Sequence, residues 1–167
     1  KNLIKKILDL GLVSKGSVIE YPKVGIKYLE IIAKKIKKYD GGILTFDYGY
    51  TKPKNNSTLQ SVSKHKYTDI FLNPGSADIT SHINYKLFSQ ILVKQGLQVE
   101  KVITQSEFLK KLGIIERATI LSKNKNFRIK ADIFYKLKKL LDLNEMGNLF
   151  KVMFAKKKGA KFSLGFN

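Results

Sequence analysis

Two spacings of apolar residues alternate along this chain, one near every third or fourth position and one in short unbroken runs, and they mark its elements. Leu3, Ile4, Ile7 and Leu8 recur at helical spacing, and Gly11 closes that short helix. Residues 17–21 read as a short strand, with Pro22 where a strand hands over to a helix. From 23 to 39, Val24, Tyr28, Leu29, Ile31, Ile32 and Ile36 predict an amphipathic helix that Gly41-Gly42 ends. The compact run Ile43-Leu44-Thr45-Phe46-Asp47-Tyr48 fits a strand buried on both faces, as in a parallel sheet. Residues 51–63, with proline, asparagine and serine, read as a loop.

The second half continues in the same manner. A helix is expected over 85–94, closed by Gly96, and a strand over 98–104. Helices follow over 105–112, stopped by Gly113, then over 115–121 and 131–141. Met146-Gly147 breaks the pattern, and 149–155 is a last apolar strand. Strands alternating with helices argue for an α/β fold with the late helices packed beside the sheet. No internal repeat or low-complexity linker divides the chain, so residues 1–167 are expected to form a single unit.

Composition narrows this only in places. The chain has 167 residues and is 43% hydrophobic, enough for one domain with a core. It has no cysteine, which excludes a disulfide framework, a thiolate metal site and a cysteine nucleophile. That fits a cytoplasmic location. No apolar run approaches the roughly 20 residues of a membrane span, and residues 1–12 make a poor signal peptide. The formal net charge is +19. It points to a polyanion partner such as RNA, DNA or an anionic membrane, or else to a general preference for lysine. Arg117 and Arg128 are the only arginines, and the lysines are scattered, which favours the second explanation over a dedicated nucleic-acid surface.

Candidate chemistry gathers at two places. A strand ending in Asp47-Tyr48-Gly49-Tyr50 would put a carboxylate and two phenols where open α/β sheets place their sites. The two histidines are His65 and His82, the second within Pro74-Gly75-Ser76-Ala77-Asp78-Ile79-Thr80-Ser81-His82. If that stretch is helical, Asp78 and His82 share a face. One histidine and one carboxylate do not make a zinc site. No nucleophile elbow, P-loop, dinucleotide-binding glycine motif, zincin helix or EF-hand loop is present.

Taken in order, residues 41–50, Thr58-Leu59-Gln60-Ser61-Val62, His65, residues 74–82, residues 104–109, Leu112-Gly113-Ile114, Arg117-Ala118 and residues 146–152 resemble the MidA-like family of S-adenosylmethionine-dependent methyltransferases. The resemblance runs from about Gly16 to the C-terminus. It implies the C-terminal part of a class I, Rossmann-like methyltransferase sheet with additional helices. The strand over 43–48 would be its fifth strand, and those over 149–155 and 98–104 the antiparallel pair beside it. Relatives act as protein arginine methyltransferases in mitochondrial complex I assembly.

The family's first half carries a glycine-rich loop, an acidic residue for the cofactor ribose and an Asn-Glu pair, and these 167 residues contain none of them. The resemblance therefore implies a half-domain, inactive alone, that binds no S-adenosylmethionine by itself and either pairs with a separately encoded N-terminal half or is the product of a split, decaying gene. When complete, it would methylate an arginine nitrogen of a protein substrate. Asp47, Tyr48, Asp78, Thr80 and His82 are the catalytic candidates on the acceptor side, and Tyr50, His65, Gln105 and Phe108 the substrate-binding ones. Asn84-Tyr85 stands where the family usually has Asp-Phe. The competing expectations are a non-catalytic basic module that binds RNA or another polyanion, and an assembly partner without catalysis.

Overall fold

The computed structural model describes residues 18–64, 66–72, 74–162 and 165–166. The expected helix at 1–12, the first residue of the expected strand at 17–21 and the candidate His65 lie outside the described residues. The elements are α1 (Lys23–Tyr39), β1 (Gly42–Tyr50), β2 (Gln60–Ser63), β3 (Lys66–Thr68), β4 (Asp78–Thr80), β5 (Ile83–Asn84), α2 (Tyr85–Lys94), β6 (Leu97–Val99) and β7 (Ile103–Thr104). They continue as α3 (Gln105–Lys111), α4 (Ile114–Ser122), α5 (Phe127–Leu141), α6 (Met146–Leu149) and β8 (Phe150–Lys157).

β8 organises the main sheet. It runs antiparallel to β1, from Gly42 opposite Lys156 to Tyr48 opposite Phe150, and pairs on its other side with β6 and β7. The strand expected over 98–104 is thus two short strands on one neighbour. β1 also pairs in parallel with β5, but only at Gly49–Ile83 and Tyr50–Asn84. Among the described residues nothing pairs with the rest of that edge of β1. One face of the sheet carries α1 and α2. Leu29, Ala33 and Ile36 of α1 meet Tyr85 and Leu92 of α2, Leu97, Met153 and Ala155 in one buried cluster. Each of its leucine, isoleucine and methionine side chains contributes about 1.5–3 kcal/mol of burial free energy when fully covered.

The other face differs from the sequence expectation. Leu44 and Phe46 are 48% and 41% exposed, while Ile43 and Thr45 on the helix side are half-buried. β1 is therefore covered well on one side only. The second face is lined sparsely by aromatic rings: Phe46 meets Phe108 edge-on at 5.0 Å, and Phe166 lies 5.3 Å from Phe108 and 5.8 Å from Phe154.

Between β7 and β8 the chain folds into four helices. Thr104 and Glu107 cap α3 reciprocally, side chain to backbone in each direction. Asn126 accepts the Ile129 amide and starts α5 at Phe127, four residues before the periodicity suggests. Met146-Gly147 opens the helical turn α6, and only a glycine fits there: a Cβ on Gly147 would lie 2.3 Å from the Leu141 carbonyl oxygen.

A second, three-stranded antiparallel sheet, ordered β3-β2-β4, occupies a region whose first part reads as a loop. The expectation that Asp78 and His82 share a helical face is corrected here. Residues 78–80 are a strand and His82 lies beyond its end, because Gln60 and Val62 of β2 pair with Thr80 and Asp78 and hold the segment extended.

Candidate functional site

β1 delivers Asp47, Tyr48, Gly49 and Tyr50 to its carboxyl end, and β5 begins beside them, so the residues just before β5 are brought against β1. That is how His82, distant in sequence, reaches Tyr48. The two rings are stacked, with centroids 6.0 Å apart and planes 20° from parallel. Phe150, opposite Tyr48 on β8, lies 4.3 Å from the Tyr48 ring on its own strand pair. Gly49 is a glycine because the Tyr85 ring takes the space a Cβ would need, at 2.4 Å.

The His82 backbone is fixed by a relay. Its amide donates to Thr58 Oγ1 at 2.8 Å, and the Thr58 hydroxyl donates onward to Glu20 Oε2 at 2.5 Å. The other Glu20 oxygen accepts the Thr58 amide at 2.7 Å and the Ser57 hydroxyl at 2.9 Å. Burial alone would raise the Glu20 pKa. The hydrogen bonds from Thr58 and Ser57 more than offset it, so the carboxylate sits below its usual range.

The His82 ring is half-buried, and Lys54 Nζ lies 3.4 Å from Nδ1. Burial first and the Lys54 charge second push its pKa below 6.5, and Glu20 and Asp47 oppose this only partly. An ammonium has no acceptor, so Nδ1 accepts from Lys54 and the neutral ring carries its proton on Nε2. Lys54 also lies over the Tyr50 ring, 5.3 Å from its centroid. Burial, then the charge of Glu20, raises the Tyr50 pKa, so its phenol stays protonated beside the Asn84 side chain. Lys151, paired across the strands with Asp47, has its pKa lowered by burial and then by Lys54, and donates to the backbone and side-chain oxygens of Asn148.

Two hollows meet at His82. One, of about 580 Å³, is lined by Lys54, Asn55, Thr58, Gln60, Tyr67 and His82 among others. The second, of about 280 Å³, is lined by Glu20, Tyr21, Ser81, His82, Asn84 and Phe88 among others.

The structure thus brings together Asp47, Tyr48, Tyr50 and His82. Thr80 is joined to the larger hollow through Gln60, whose amide donates to its hydroxyl at 3.0 Å. Asp78 is exposed on β4 and lines neither hollow. Gln105 and Phe108 sit elsewhere. Gln105 is buried and donates to the Leu140 carbonyl at the end of α5, and Phe108 packs with Ile103 and Val152. Sequence reasoning missed Glu20, Lys54 and Lys151 altogether. Thr58 lies in a recognisable motif, yet nothing in its spacing pointed to a site.

Among the described residues, the end of β1 does not build a cradle for a nucleotide-sized cofactor. A cradle needs backbone approaching the ligand over glycine, and Gly49, the one glycine at this strand end, is filled by Tyr85. Among the described residues no three His, Cys, Asp or Glu side chains could hold a metal ion, and no helix is long and apolar enough to cross a membrane.

An antiparallel strand inserted between β1 and β6, with helices on one face and a site at the strand ends, defines a Rossmann-like methyltransferase fold. A Burkholderia thailandensis crystal structure with S-adenosyl-homocysteine bound superposes with a TM-score of 0.75 at 22% identity, covering 99% of this chain and 43% of that one. A second Burkholderia thailandensis structure gives 0.71 at 24% identity, over 87% of this chain and 40% of that one. A family model described as "Putative S-adenosyl-L-methionine-dependent methyltransferase" matches residues 1–103, and the chain belongs to that MidA-like family.

Among curated relatives, the protein arginine methyltransferase NDUFAF7 of Xenopus tropicalis is 29% identical over 124 residues, 74% of this chain. The human protein of that name is 25% identical over 130 residues, and the Caenorhabditis elegans homolog 34% over 86, which is 52% of this chain. The chain spans only 28%, 29% and 20% of the lengths of these three relatives respectively.

Proposed function

We propose that this chain forms the acceptor side of an S-adenosylmethionine-dependent methyltransferase whose acceptor is an arginine side chain of a protein. The observation that carries this is the Tyr48–His82 stack at the end of β1, where the Asp47 carboxylate is near enough to act on the His82 charge and His82 lines two hollows. A guanidinium is planar, always charged and donor-only, so it suits a flat aromatic wall and a carboxylate. The relatives' name, protein arginine methyltransferase, supports the same acceptor.

On this reading Asp47 accepts guanidinium N–H groups, and Tyr48, packed with His82 and Phe150, builds the aromatic wall of the strand end. His82, neutral and bonded to Lys54, braces Tyr48 and presents Nε2–H. While Lys54 holds Nδ1, His82 has no lone pair to take a proton, so the work of the site is orientation. The cofactor is held by sequence beyond these 167 residues, on the same polypeptide or another. When bound, it supplies the methyl group.

Two experiments test this. In a full-length relative, alanine at the positions equivalent to Asp47 and Tyr48 is expected to lower turnover about a hundredfold or more, as lost orientation does. Unchanged turnover in both removes the acceptor-side reading. Calorimetric titration of S-adenosylmethionine into the 167-residue chain is expected to give no heat. Micromolar binding would overturn the assignment of the cofactor to other sequence.

A further inference from the structure

The helical pair α4–α5 carries exposed apolar side chains beside a run of cations. α5 has an amphipathic sequence, yet none of its residues is buried. Its half-buried positions Ile133, Leu137, Leu140 and Leu141 face α3, α4 and α6. Phe127 and Phe134, two turns apart, lie off that face, and Phe127 is 87% exposed. At the neighbouring end of α4, Ile120 is 71% exposed and Leu121 is exposed as well. The connection between the helices is an ordered turn: the Lys123 amide donates to the Ile120 carbonyl, and Asn126 caps α5. The exposed apolar side chains are therefore held on a built tip and are not carried by a loose loop.

The charge around them has one sign. Between Glu116 and Asp132 the chain has no carboxylate, against Arg117, Lys123, Lys125, Arg128 and Lys130. Large exposed aliphatic and aromatic side chains interspersed with cations are what an anionic lipid surface recognises. The apolar groups enter the boundary between headgroups and acyl chains, and the lysines stay among the phosphates. A nucleic acid would satisfy the lysines but would leave Ile120 and Leu121 in water. It would also be read better by arginine than by this lysine-rich set.

We propose that the tip of the α4–α5 hairpin docks the protein peripherally on an anionic bilayer, with Ile120 and Phe127 as the inserted side chains and Lys123, Lys125, Arg128 and Lys130 as the headgroup contacts. Docking there is separate from the site at the end of β1.

The test is co-sedimentation of the 167-residue chain with vesicles of phosphatidylcholine mixed with phosphatidylglycerol, and with phosphatidylcholine alone. Partition to the mixed vesicles only, weakening as salt is raised, is the expected result. The double variant Ile120→Ser/Phe127→Ser should partition about tenfold less or weaker still. Both positions are exposed, so its thermal unfolding should match the parent's. The proposal fails if mixed vesicles are ignored or if the double variant partitions like the parent. It fails equally if sedimentation velocity shows a parent dimer that the double variant dissolves, which would make a second copy the occupant. Displacement from vesicles by single-stranded RNA, bound equally by parent and double variant, would assign the tip to nucleic acid instead.

Discussion

The Tyr48 ring lies stacked on the His82 imidazole at 6.0 Å, although the two residues are far apart in sequence. Parallel pairing of Gly49 and Tyr50 with Ile83 and Asn84 brings them together. The ring that touches Tyr48 is also the ring that Lys54 and burial keep neutral.

That depression has a pH signature. His82 binds its proton less readily in the folded state than in the unfolded chain, so stability is fully present above about 6.5 and falls as pH drops through the window below it. Urea unfolding at a series of pH values should show this decline, and His82→Gln should flatten it. NMR titration should place the His82 midpoint below 6.5. Lys54→Met should move it only part of the way back, since burial is the larger cause. A midpoint at the ordinary value would contradict the buried, lysine-bonded ring.

Thr58 joins Glu20 to the His82 amide, so its hydroxyl is needed twice. Thr58→Val keeps the shape and removes both bonds, which should cost about 1–3 kcal/mol. Chemical denaturation gives the magnitude. Faster exchange of the His82 amide would show that the relay, and not general loosening, was lost.

Lys156 is a lysine in the core, 4% exposed, bonded to Glu100 at 3.0 Å and to the Phe162 carbonyl. Lys156→Met leaves Glu100 without its cation and should destabilise by about 3 kcal/mol, toward the low end for broken buried pairs because Glu100 keeps some access to water. Lys156→Met combined with Glu100→Leu should recover most of that. A double-mutant cycle measures the coupling, and additive losses would show that the pair matters little.

Tyr85 is fully buried, and its hydroxyl lies near Thr45 and Asp47 without a well-aligned hydrogen bond. Tyr85→Phe, which restores the residue usual in the family, should be neutral or stabilise by up to about 1 kcal/mol. A clear loss of thermal stability would mean that the hydroxyl is bonded after all.

Much of this was legible in the sequence, and what was not has definite causes. α1, α2 and β8 follow from periodicity, because each is long enough for its buried side to dominate the pattern. The faces are harder to read. In α1 the apolar Val24, Tyr28 and Ile31 are exposed, while Ile26 and Ala33, outside the predicted pattern, pack alongside Leu29 and Ile36. The sheet β3-β2-β4 was hidden because its strands have three or four residues, too few for an alternating pattern to register. At the site, Asp47, Tyr48 and His82 were readable from position and motif. Glu20, Lys54 and Lys151 were not, because a carboxylate or lysine in an ordinary run gives no sign that it will be drawn inward. Asn84 is instructive. A family aspartate replaced by asparagine looks like a lost charge, yet Asn84 caps α2 by accepting the Leu87 amide, a job either residue performs.

The central place of β8 also bears on how the molecule comes to be folded. Thr45 meets Met153 across 108 positions of sequence, and β1, β6 and β7 all take their main-sheet partner from β8. During synthesis the edge of β1 that β8 will cover therefore waits until the ribosome has released the segment around Lys157. Assembly of the sheet should be a late and slow event compared with formation of the local helices, and the interval before it is when a chaperone would have most to protect.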